Sequence, residues 1–314
     1  MSLHFPWGLP VDVNDLGLME TVMIGEHKVT MTLPRVPDDG SSQGSLSAPL
    51  SYAGTPLPDA VLEAFKGRWG YQSSDRLCPV HTAGGSVLLT PSDEMWDSPE
   101  FETLSAGFFT WSRIVQEWAA LRTGEPLRDW DNQLRSSAIH LHIQRGHLVG
   151  NPARFRTLYV GLGPLTREQL RGALRCASKG EHPPIEHRTL LYAKDALIGG
   201  DYRKAVIDAA TAAEVALASY VRDQLTRRRL PAVFVEKVIK DVNGIINLHG
   251  LCEKLGGMPG VKLSVVKSQI AGVRNMAAHG GSTPSKAEAD LAIKHASTIV
   301  RALRPLPGGM APRV

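Results

Sequence analysis

The chain has 314 residues, enough for two domains that each bury a core. Hydrophobic residues at 43% and charged residues at 21% describe a soluble globular protein and exclude a disordered one. The net charge of +4 suits an anionic partner but is too mild to require one.

Cys78, Cys176 and Cys252 are odd in number and widely scattered. That argues against a disulfide framework and for a reducing, cytoplasmic setting. The N-terminus lacks a basic region followed by an apolar run, so no secretory leader is expected. No uncharged apolar stretch approaches membrane-spanning length, and no membrane association is expected.

Residues 1–60 are rich in Gly, Pro and Ser, with one alternating strand at 27–33 and a loop over 37–51. A short helix is expected at 59–66, after Pro58. Residues 86–90 read as a buried strand between Gly84-Gly85 and Pro91. Ser98-Pro99-Glu100 opens a helix by the N-cap and first-turn proline rule, running to about Thr123. Phe108, Trp111, Val115 and Trp118 share one face of it, which marks core.

Two further strands are expected, at 138–143 and 155–161. His140 and His142 lie on one side of the first. With Cys78 and His81 they can be drawn as a Cys/His zinc site, but Cys-x-x-His supplies only half of one, and a solvent-facing strand surface accounts for the two histidines more simply. Nothing in this N-terminal part names a chemistry, and metal ligands and cofactors are not expected. Thr166 to Leu170 has a capping-box start, so a helix precedes the polar linker at 178–184, with its glycine and double proline.

Beyond the linker every periodicity is helical. The fold class is therefore α+β: a mixed, mostly β domain over 1–178, an all-α bundle over 185–304, and a fraying tail at 305–314. A long helix from Tyr202 to about Arg229 is stopped by Pro231, and shorter ones follow at 232–241 and 248–255. In the long helix, alanines dominate the apolar face, which allows close approach inside a bundle or across a dimer. Asp208 and Glu214 border that face, either as surface acids or as buried carboxylates that need a cation such as Arg274. Arg222, Arg227, Arg228 and Arg229 make its end basic, through the helix dipole or as a track for RNA phosphates.

The next helix starts near Lys262, with Val266, Ile270, Val273 and Ala277 as its buried stripe, and closes on Arg274-Asn275-Met276-Ala277-Ala278-His279 before Gly280-Gly281. Histidine can move a proton near neutral pH, and arginine can hold phosphate oxygens. Cations are also common at a helix C-terminus for electrostatic reasons alone. Five residues place Arg274 and His279 about 140° apart on a regular helix, so either the helix unwinds at His279 or a second copy supplies the partner. A last helix, capped at Ser282 or Ser285, ends before Pro305.

Arg274-Asn275, three residues, then His279 resembles the nuclease motif of the HEPN family: Arg, often followed by Asn, with four to six residues before His. The helix at 189–197, the gap with Tyr202 and the Ala-rich helix carrying Glu214 are similar to the first half of an HEPN four-helix bundle. The resemblance covers about the last 120 residues, the size of one domain. It implies a metal-independent endoribonuclease, with Arg274, Asn275 and His279 catalytic in a homodimer formed through the C-terminal domain. It also implies an RNA substrate and a toxin or anti-phage role, with an N-terminal domain that senses a trigger or restrains the nuclease and an antitoxin or a phage-derived trigger as partner. The alternative within the family is a non-catalytic module that binds nucleotide or RNA, or that dimerises.

Overall fold

A computed structural model of the protein describes residues 2–36, 45–48, 51–52, 55–56, 69–70, 76–87, 99–124, 139–140, 164–279, 281 and 283–306. Two compact units meet in sequence at His182 and Pro183. Architecture is mixed α+β, with the strands in the N-terminal unit. No helix among the described residues is long and apolar enough to cross a membrane.

The first unit is built on an antiparallel sheet of β1 (Ser2–Asp12), β2 (Met19–Ile24), β3 (His27–Thr32), β6 (Leu77–Val87) and β7 (Ile139–His140), in the order β2-β3-β6-β1-β7. A separate two-stranded ladder joins β4 (Ser51–Tyr52) to β5 (Thr55–Pro56). The alternating expectation for the strand at 27–33 is met by β3, whose Val29 and Met31 are fully buried. The strand expected at 86–90 begins much earlier, at Leu77, because Cys78, Val80 and Ala83 already face the core. The helix expected at 59–66 and the strand at 155–161 lie outside the described residues, as does His142.

Helix α1 (Pro99–Thr123) supplies the other half of this core. Phe108 meets Phe5 edge-on at 6.1 Å between centroids, and Trp111 lies 6.1 Å from the same ring. Contact is closest at Gly107: a Cβ there would sit 3.1 Å from the backbone nitrogen of Gly25, in the turn between β2 and β3. Helix α2 (Arg167–Ser178) opens on the expected capping box, Thr166 with Gln169. Arg167 holds Asp15 at 2.6 Å and Arg171 pairs with Glu20, which fastens α2 beside β2. The two helices expected within 1–178, one opening at Pro99 and one after Thr166, thus both accompany the sheet.

The second unit is helical throughout its described residues. Its elements are α3 (Ile185–Ile198), α4 (Tyr202–Arg227), α5 (Ala232–Asp241), α6 (Ile245–Lys254), α7 (Leu263–Val265) continuing as a π-helix (Val266–Gly272) into α8 (Val273–His279), and α9 (Lys286–Leu303). Helix α4 is central: Ala205, Ala209, Ala212, Ala213 and Ala216 are buried in one cluster with residues of α3, α6, α8 and α9. The alanine face is therefore used inside the bundle, and it gives no ground for a dimer. Ser285, with Glu288, is the cap of α9. Arg304, just past α9, donates to Glu186 at 3.0 Å and to Asp223 at 2.6 Å, tying that end to α3 and α4.

Candidate functional site

A regular α-helix was the expectation for the segment ending at His279. Instead its middle is π-helical, with wider i→i+5 turns. Gly272 fits that widening, since a Cβ there would stand 3.1 Å from the Lys267 carbonyl oxygen five residues back. The expected stripe of Val266, Ile270, Val273 and Ala277 is buried, and Ala271 joins it. His295 of α9 pins the wide turn, its Nε2 2.6 Å from Gln269 Oε1. Burial, then the charge of Lys294, holds the His295 imidazole below its usual pKa.

After the π-helix the backbone is α-helical through His279, so the helix does not unwind at the histidine. Arg274 and Asn275 point into an open cleft of about 390 Å³. Glu214 of α4 forms another wall of it, with Ala210 and Ala271. Asn243, Gly244 and the first residues of α6 complete it. Gly244 adopts φ +93° and leaves α6 without a side-chain cap, so first-turn amides of α6 border the cleft unmatched by any capping group. An uncapped N-terminus and a guanidinium favour an anion here, while Glu214 opposes one and can accept a proton or hydrogen bond.

Arg274 is partly buried and donates to Asn275 Oδ1 at 3.3 Å; among the described residues it forms no ion pair. Of the two readings of the acids on α4, pairing with Arg274 is not seen: Glu214 lines the same cleft without bonding to Arg274, and Asp208 lies outside the cleft, paired with Lys204. His279 is exposed and does not line the cleft. On regular helical geometry it is about 140° round the axis from Arg274 but only about 40° from Asn275, one turn further on. Beside it on the outer face is Met276, 48% exposed.

Of the basic end of α4, Arg222 is engaged by Glu236 of α5 through two hydrogen bonds of 2.7 and 3.1 Å. Arg227, Arg228 and Arg229 are exposed, and Arg229 takes the left-handed φ of +61° where the chain leaves the helix. In the other unit, Cys78 faces the core, where burial, then the charge of Asp12, pushes its thiol up to about 11. Asn243, just before α6, and Asn247, in its first turn, escaped the sequence reading because asparagines on either side of a glycine look like any loop. No family model, curated protein or solved structure matches the chain.

Proposed function

We propose that the C-terminal unit is a metal-independent endoribonuclease of the HEPN type, acting as a toxin or anti-phage effector. The observation that carries the reading is the cleft: the motif's Arg274 and Asn275 share it with Glu214, and no carboxylate among the described residues pairs with the arginine. In this scheme the substrate's 2′-oxygen attacks the adjacent phosphorus and loses its proton to a histidine. The bond from phosphorus to the 5′-oxygen breaks, and that oxygen takes a proton. Products are a 2′,3′-cyclic phosphate and a 5′-hydroxyl end. Arg274 stabilises the charge that builds on the phosphorane-like transition state, and Asn275 orients the phosphate or the histidine.

His279 stands outside the cleft of its own chain, so the scheme requires a homodimer in which each histidine serves the other chain's arginine. Exposed Met276 beside His279 offers apolar surface for that contact. Incubation of the purified chain with labelled RNA in EDTA tests the whole reading. Cleavage to 2′,3′-cyclic phosphate ends is expected, lost in His279→Ala, with DNA left intact for want of the 2′-hydroxyl. Light scattering that shows a monomer with cleavage intact would remove the dimer from the scheme. The position of His279 also favours a second reading, a non-catalytic module that binds a nucleotide or RNA in the Arg274 cleft. Binding in EDTA without cleavage, lost in Arg274→Ala and kept in His279→Ala, would establish it.

A further inference from the structure

A second cleft lies in the N-terminal unit, about 220 Å³ in volume, between β2 and the Arg171, Leu174, Arg175 and Ser178 face of α2. Strand β2 is an edge of its sheet. In an antiparallel pair the amides of alternate residues point to the partner strand and to the open edge. Met23 donates its edge amide to Ser178 Oγ at 2.9 Å, so Thr21, two residues back, turns its amide to that same edge. The Ser178 hydroxyl accepts that bond and keeps its own proton to donate elsewhere. Lys28 enters from β3, directly opposite Met23.

Charge is unbalanced in this cleft. Lys28, Arg171 and Arg175 bring three cations, and Glu20 alone brings a carboxylate, paired with Arg171. Lys28 and Arg175 make no hydrogen bond or ion pair among the described residues. Two positive charges therefore converge on a space the size of one small group, beside an edge amide and a hydroxyl.

We propose that this cleft binds the terminal phosphate of a small phosphomonoester. Such a group carries about −1.5 to −2 charge near neutral pH, matching the two unneutralised cations, and its oxygens accept from amide, hydroxyl and guanidinium donors. Both cations line this one small cleft, which fits a terminal dianion better than a run of singly charged diesters.

Calorimetric titration of the full chain with AMP tests this, with inorganic phosphate, adenosine and the 5′-hydroxyl dinucleotide ApA as comparisons. AMP and phosphate are expected to bind saturably and to keep that binding in Arg274→Ala, a background in which adenosine and ApA are expected not to bind. Arg175→Glu and Lys28→Glu, exposed positions on separate elements, should each weaken AMP by about tenfold or more, and Lys240→Glu, far along the chain on α5, should leave it unchanged. Repeating the titration on Arg274→Ala separates this cleft from the one in the helical unit. In the Arg274→Ala background, AMP affinity retained in both charge reversals, binding of ApA as tight as AMP, or absence of saturable AMP binding would each overturn the proposal.

Discussion

Arg274, Asn275 and His279 differ in exposure, and their substitutions should differ in consequence. His279→Ala removes an exposed side chain, so thermal stability should hold while RNA cleavage falls on the order of 100-fold or more. Arg274→Ala should cost as much activity, again with little change in melting temperature, because the guanidinium reaches into an open cleft and its truncation leaves no core cavity. Asn275→Ala should be milder, since the amide transfers no proton. A strongly unfolded Arg274 variant that still cleaves would make the arginine structural. These residues were legible in the sequence as a motif, but their neighbours were not. Arg222 faces Glu236 across the turn between two helices, and Glu214 meets the cleft without meeting Arg274; both facts depend on how separate helices pack.

Among the elements, those with local signals were read well. Capping boxes at Thr166 and Ser285 announce α2 and α9, and Ser285→Ala should cost about 1 kcal/mol in chemical denaturation. The aromatic face of α1 is core for the reason its spacing suggests. Helix α6 begins three residues before its expected start, because its cap is a glycine that contributes conformation and no side chain. The π-helix was invisible, since its apolar stripe also satisfies an α-helical period and only Gly272 marks the wide turn. Gly272→Ala puts a Cβ 3.1 Å from the Lys267 carbonyl oxygen and should displace the wide turn, turning α8 against the bundle. Such a variant should keep its helical circular dichroism and lose Arg274-dependent cleavage or binding. Unchanged function would show that the wide turn does not aim the motif.

For the whole molecule, pH adds a test. Burial, opposed in part by its bond to the Arg304 carbonyl, holds His187 below its usual 6.5. His295 is lowered as well. The unfolded chain then binds protons more readily than the folded one, so stability is full above about 6.5 and falls as pH drops below it. Denaturation midpoints from pH 7.5 to 5 should show that fall, and His187→Gln should flatten it. Arg304→Ala should lower stability by about 2–3 kcal/mol, because Glu186, with its side chain 3% exposed, loses its cation. The division of the chain at the Gly-Pro-Pro linker could be read from its polarity; the strand order of the first unit's sheet could not, as it depends on pairings between residues far apart in the chain. His187 and Glu186 both grip Arg304, so the helical unit starts and finishes within one hydrogen bond of itself. A short peptide joining those two points, with new ends opened at the exposed Leu230-Pro231 turn, would give a circular permutant with the same bundle. The same closeness would let the unit be spliced into a surface loop of another protein without prising that host apart.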